Sequence, residues 1–252
     1  MDAYEFTRAK IDDYAEKVGI DIRPVIEPKL DRHKLFDVGN KLVEKFPSLC
    51  ESLVQSPVGF SIRKRFIFPG KGEIDLETLA ITPRGPVFTF PHRVGAFEED
   101  VELGFNGLDS TVKEYLKVFH QSFPEKKVFR VGLVSEYVFN TGSINSSKLI
   151  CDRFTRLRGS EDGEIALRVN RPTDDYNRQI EMSGVRRLEP IPEMPGQMQT
   201  ANFGVKVVID FNNRDMSRNL SESQILVILA EAKRFNDEDL LGFLNGPSGG
   251  EA

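Results

Sequence analysis

The sequence predicts an α+β fold, built mainly of antiparallel sheet or two coupled sheets with three covering helices, and three kinds of stretch carry that prediction. The first is the run at 127–141, KVFRVGLVSEYVFNT, the longest strand-like segment in the chain. Alternate side chains of a strand go to opposite faces, so Phe129, Val131, Leu133, Tyr137 and Phe139 share one face, broken only by Ser135. That face belongs in a core. The other face interleaves Val128, Val134 and Val138 with Arg130, Gly132, Glu136 and Asn140, as a mid-sheet strand does. Arg130 and Glu136 lie roughly 20 Å apart along a strand, so each needs a partner from elsewhere, or water. The second kind comprises further alternating runs, GFSIRKRFIF and FGVKVVIDF, and the third comprises apolar stripes at helical spacing.

With 252 residues, 39% hydrophobic and 29% charged, the chain is long enough to bury a sizeable core. It reads as one globular unit over 1–252, with an N-terminal helix-plus-strands arm at 20–108, a C-terminal one at 109–246 and a disordered tail at 247–252. The net charge of -5 argues against a general nucleic-acid binder, although a local basic patch survives on many acidic proteins. No apolar run approaches the ~20 residues of a membrane span. The opening MDAYEFTRAKIDDYAEK is polar and acidic, unlike a secretory signal, and the expected location is the cytoplasm. Cys50 and Cys151 are too few for a disulfide framework and read as buried thiols.

In chain order, Ile11, Tyr14, Ala15 and Val18 fall at helical spacing and predict an amphipathic helix ending at Gly19, followed by an extended IDIRPVIEP. Leu35, Val38, Leu42 and Phe46 form one stripe and predict a helix over 34–46, with a short LCESLV turn after Pro47. GFSIRKRFIF, PGKG and EIDLETLAI give a hairpin signal, and VFTF supplies a third strand. The acids and glycines of FEEDVELGFNG oppose a long helix. Thr111 and Glu114 have capping-box spacing, and Val112, Tyr115, Leu116, Phe119 and Phe123 continue as a stripe over 111–123. Beyond the long strand, KLICDRFTRLR and EIALRVNR read as strands separated by the turn-rich GSEDG, with NRQIEMSGV as another. Three prolines and two methionines within 187–202 predict a long irregular loop. FGVKVVIDF turns Phe203, Val205, Val207, Ile209 and Phe211 one way, and Ser221 with Gln224 opens a helix over 221–235. Asn236 and Asp239 start a short last helix. The two arms share an order of helix then strands; their residue identity is slight, so chance order of common elements is the simpler account and two similar halves the other.

The succession FPSLCESL, a Gly-turn hairpin ending in FTFP, SFPEKKVFRVGLVSEYVFN, VVIDFN and AEAKRFNDEDLLGFL resembles a family of sporadically distributed bacterial and archaeal proteins of similar length whose function is not established. The likeness runs from about Ile20 onward and rests on element order and on RVGLVSEYVFN, where that family shows an Arg-x-Gly-Leu-Arg-Tyr-x-Asn-like motif. Ser135 and Glu136 depart from the motif. The resemblance implies the fold and brings no catalytic residues.

Catalytic chemistry has little support in the residues. His33, His92 and His120 are isolated, with no H-x-H, H-E-x-x-H or C-x-x-C spacing. Glu98, Glu99 and Asp100, like Asp174 and Asp175, read as solvated loop acids. Glu125-Lys126-Lys127 has the E-x-K form of metal nucleases but lacks an evident preceding carboxylate strand. PGKG at 69–72 is a turn, and no G-x-G-x-x-G, G-x-x-x-x-G-K-[ST] or G-x-S-x-G occurs. Neither a metal nor a cofactor is expected, and no catalytic residue is assigned.

Two candidate surfaces remain. Phe154, Arg156 and Arg158 point the same way if their segment is a strand, and with Arg168 they offer a stacking ring beside guanidiniums, a candidate anion or nucleic-acid face. The alternative is a solvated face whose arginines, including Arg63, Arg65, Arg186 and Arg187, pair across strands with acids such as Asp75, Glu77 or Glu164. The Pro-rich segment is a candidate partner loop through Pro190, Pro192, Met194, Pro195 and Met198. The leading expectation is a non-catalytic cytoplasmic binding or scaffold protein acting through a protein partner. Recognition or processing of nucleic acid on the Arg-rich face is the second expectation, and the oligomeric state is not read from sequence.

Overall fold

The long central run is β6 (Val128–Gly142), and it is hydrogen-bonded along both edges. The computed structural model describes residues 4–11, 17–24, 32–45, 51–56, 59–68, 72–82, 85–91, 108–124, 127–155, 164–194 and 196–246. On one side of β6 lies β1 (Lys17–Pro24), on the other β9 (Met198–Asn213). Val131, Leu133, Ser135, Tyr137 and Phe139 are buried on one face, as the alternation predicts. At the start of the strand the phase slips. Arg23 pairs with Arg130 and Pro24 with Val128, so Phe129 is the extra residue of a bulge, and Val128 is buried while Phe129 is only half-buried.

The sheet continues outward through β5 (Gly85–Pro91), β4 (Gly72–Thr82), β3 (Gly59–Phe68) and β2 (Ser52–Ser56) on one side, and through β8 (Tyr176–Pro190) and β7 (Ala166–Asn170) on the other. Its nine strands run β2-β3-β4-β5-β1-β6-β9-β8-β7, with every neighbouring pair antiparallel. Each half is a strand, a helix and a meander whose last strand returns beside the first: β5 lies beside β1, and β9 beside β6. The shared unit therefore opens on a strand: β1 precedes the helix that the sequence put first in one half, and β6 follows it in the other.

The helices are α1 (Arg32–Lys45), α2 (Leu108–Ser122), α3 (Ser146–Phe154), α4 (Glu222–Arg234) and α5 (Leu240–Asn245), the last two joined by a π-helical turn at Phe235–Asp239. Leu35, Val38 and Leu42 of α1 and Val112, Tyr115, Leu116 and Phe119 of α2 are buried, so both stripes face inward as read. The α4 cap is also as read: Ser221 accepts from the Gln224 amide and Gln224 Oε1 accepts from the Ser221 amide at 2.8 Å. These helices bury the sheet's core face in a single apolar cluster. None among the described residues is long and apolar enough to cross a membrane.

Four local expectations are corrected. The N-terminal stripe is not a helix through Gly19: after a 3-10 turn at Arg8–Lys10, Ile11 bridges Phe139, and Val18 already lies in β1. The second half of LCESLV is not a turn but the start of β2, paired antiparallel with β3, while Leu49 and Cys50 lie outside the described residues. KLICDRF is helix rather than strand, because Asn145 caps it by accepting from the Lys148 amide at 2.9 Å, and Ser147, Ile150 and Cys151 then face inward. Finally, α2 starts at Leu108, ahead of the Thr111 cap, and Glu114 instead pairs with Lys45 Nζ at 2.8 Å, joining α2 to α1.

Candidate functional site

The helix at 146–154 separates the residues of the expected nucleic-acid face. Phe154 ends α3 and its ring stacks on Phe243 of α5 at 5.9 Å. Leu167 and Val169 of β7 pair with the buried Met182 and Ile180, so the intervening Arg168 turns to the opposite side of the sheet, where it donates to Gln179 Oε1. Phe154 and Arg168 thus lie on opposite faces, and the stacking ring beside guanidiniums is not formed by these two. Arg156 and Arg158 lie outside the described residues. The helical signal was present in Asn145 followed by Ile150 and Phe154 at i, i+4 spacing. In β3 the register sets Arg63 opposite Glu77 and Arg65 opposite Asp75, which is the cross-strand charge arrangement of the alternative reading.

On the sheet face away from the helices, β9 supplies partners that Arg130 and Glu136 of β6 require. Arg130 lies 3.6 Å from Asp210 and is only 13% exposed, while Lys206 reaches Glu136 at 3.1 Å. Asn212 Nδ2 donates to Asp210 Oδ1 at 2.8 Å and Asn177 Nδ2 donates to Asn212 Oδ1 at 3.1 Å. A side chain on Gly132 would meet Asn212 Cβ at 3.3 Å, so the absence of one makes room for this network. The groups satisfy one another, which fits a structural role.

A cleft of ≈ 370 Å³ opens where β8 begins, β9 ends and α4 starts. Tyr176, Leu220 and Ile228 form its apolar part, with Asp174, Asp175 and Asp215 among its polar groups. The Ser217 hydroxyl and amide, together with Arg218, hold the Asp215 carboxyl below its usual range, and burial pushes the Tyr176 phenol up, helped by Glu231 and Asp175. No histidine lines the cleft among the described residues, and its titratable groups are Asp174, Asp175, Asp215, Tyr176 and Arg218. Likewise, no three His, Cys, Asp or Glu side chains among the described residues gather as metal ligands would. Cys151 is a buried free thiol in α3.

The segment expected to be an irregular loop is the end of a hairpin. β8 and β9 stay paired out to Pro190 and Met198, and residues 191–197 close the turn with the Gln197 carbonyl accepting from the Ile191 amide at 3.0 Å. Pro190 and Pro192 permit this because they fall at the strand end and in the turn rather than within the ladder. In the described strands β6 stops at the pair Gly142–Phe203 and β7 begins at the pair Ala166–Ser183, so the last stretch of β8 and β9 projects as a two-stranded arm. A bulge at Ala201, between the pairs Arg187–Asn202 and Leu188–Thr200, shifts the phase of β9. Leu188, Pro190, Met198 and Thr200 then share the side that, farther back along the sheet, the helices cover. Here that side is bare: Leu188 is 53% exposed and Met198 52%, with Met194 at 51% in the turn. The other side carries Glu189, which accepts from Gln199 Nε2 at 3.0 Å. The arm is the most exposed apolar feature to which the sequence had assigned a role, and Pro190, Pro192, Met194 and Met198 all belong to it. Pro195 lies outside the described residues. No family model matches the chain, and neither does any curated protein or solved structure compared with it.

Proposed function

We propose that this chain is a non-catalytic cytoplasmic binding protein that engages another protein through the β8–β9 arm. The carrying observation is the bare apolar side of a paired ribbon: Leu188 and Met198 are each more than half exposed although the backbone beneath them is ordered by cross-strand bonds, and Met194 in the adjoining turn is equally exposed. Large apolar side chains grouped on a projecting element mark contact surfaces, and methionine adapts its shape to a partner. Because the ribbon is already paired, docking forfeits little further backbone freedom. The free, buried thiol of Cys151 is in keeping with a reducing compartment.

The test is cross-linking of tagged protein in its host cell, followed by mass spectrometry, for wild type and for the pair Leu188→Glu and Met198→Glu. Both side chains are solvent-facing, so the melting temperatures should stay within a few degrees while the cross-linked protein set disappears. A set that survives both changes removes the arm from the function.

A further inference from the structure

We infer that the occupant of the arm's bare side is the same side of a second copy of this chain, the two arms lying antiparallel about a two-fold axis. This rests on the reading of the arm as a protein-binding surface and names its partner. The arm is apolar in its middle, with a charged residue at its base and another at its tip. Arg186 alternates with Leu188 and Pro190 and so shares their side at the base of the arm, and Glu193 sits in the turn at its tip. Neither Arg186 nor Glu193 has an ion-pair or hydrogen-bond partner among the described residues, although Arg234, Arg218 and Lys206 all do.

The charge order selects the occupant and its direction. Arg186 and Pro190 are ~13 Å apart along the strand, with the turn beyond. Laying a second arm over the first in the reverse direction sets the base of each against the tip of the other. Arg186 then meets the partner's Glu193, and the symmetry repeats the contact at the other end. Between these charged ends Leu188, Pro190 and Met198 pack against the same set of side chains on the partner, the self-complementary pattern of an isologous interface. A parallel overlay would place Arg186 on Arg186 and Glu193 on Glu193, so like-charge contact excludes it. The arrangement also covers a two-stranded ribbon that would otherwise leave an apolar face in water, the kind of exposure that folded sheets avoid. One ribbon per copy falls short of the ~800 Å² per partner of a stable complex, so the expected dimer is weak and dissociates on dilution.

Sedimentation velocity on the purified full chain, from about 1 to about 200 μM, tests this. Wild type should pass from monomer to dimer within that range. Leu188→Glu should remain monomeric throughout with an unchanged melting temperature. Arg186→Glu should weaken association by about tenfold or more, and Arg186→Glu combined with Glu193→Arg should restore it. A wild type that stays monomeric at the top concentration, a dimer indifferent to Leu188→Glu, or a charge swap that fails to restore association each overturns the inference. A monomeric wild type whose cross-linked set still depends on Leu188 and Met198 overturns self-docking while leaving the arm's role intact; loss of both results sinks the two together.

Discussion

Ser135 has its hydroxyl fully buried on the helix-covered face of β6 with no hydrogen-bond partner among the described residues. A polar group in that position costs about 1–3 kcal/mol of desolvation, and the sequence marked it only as a break in an apolar face. Ser135→Ala is therefore expected to stabilise the protein by about 1 kcal/mol, a rise of roughly 2–4 °C in Tm for a chain of this size; a fall would show that the hydroxyl is satisfied. Two residues on, Tyr137 makes the opposite kind of contact, donating to Asn236 Oδ1 at 2.9 Å while Asn236 Nδ2 donates to the Ala232 carbonyl. Tyr137→Phe leaves a buried acceptor unpaired and should cost about 1–3 kcal/mol in denaturant unfolding. Leu133→Asp, on the same face, should abolish folding, because an unpaired buried carboxylate costs several kcal/mol against a total stability of roughly 5 to 15. Soluble Leu133→Asp protein with a wild-type Tm would place the strand at the periphery. Tyr4 supplies a pH signature. Its hydroxyl donates to the Asn140 carbonyl, and burial pushes the phenol from 10.0 up to about 12, with Arg153 opposing. A folded value above the unfolded one means that the stabilisation is complete below pH 10 and is lost as pH rises through 12. The stability difference between wild type and Tyr4→Phe should shrink across that window, and a difference that holds constant there would remove Tyr4 as its source.

Among the elements, the α4 capping box and the alternation of β9 were legible because both signals are local: a cap needs residues three apart, and a face needs every second residue. The segment at 146–154 imitates a strand through two apolar-polar alternations, but the Asn145 cap and the inward Ile150 and Cys151 make it a helix. Tertiary packing shows how tightly that helix is held. A Cβ on Gly184 of β8 would lie 2.8 Å from both Ser146 Oγ and Ser147 Oγ and 3.3 Å from the Ser147 backbone nitrogen. The hydroxyls can rotate away but the backbone cannot, so Gly184→Val should lift α3 from the sheet and cost about 1–3 kcal/mol. Its readout is faster hydrogen exchange across 146–154, and unaltered exchange there would show that the helix accommodates the side chain. The arm differs from its expectation for another reason: proline content suggests irregularity, but two strands ending at Pro190 and Met198 place Pro190 and Pro192 where no ladder bond is lost.

For the whole molecule, β1 is the joint. It pairs with β5 on one side and β6 on the other, so the N-terminal strand closes the gap between the two halves of the sheet. Removing residues 1–24 leaves two facing edges without a partner, and the expected product is insoluble. A soluble truncated chain with native-like circular dichroism would show that the halves join without β1.

The sequence by itself determined the class of the fold, the buried face of β6, the inward stripes of α1 and α2, and the need of Arg130 and Glu136 for partners beyond their own strand. All of these follow from period and polarity within a few residues of one another. Only the tertiary structure decided that β1 sits between β5 and β6, that Asp210 and Lys206 answer the two charges, that Phe154 and Arg168 part company, and that the Pro-rich segment is a paired arm with a bare apolar side. The reason is that strand neighbours and the covering of a face are set by contacts between residues distant in the chain, and a bulge of a single residue, as at Ala201 or Phe129, reverses which side every following side chain takes.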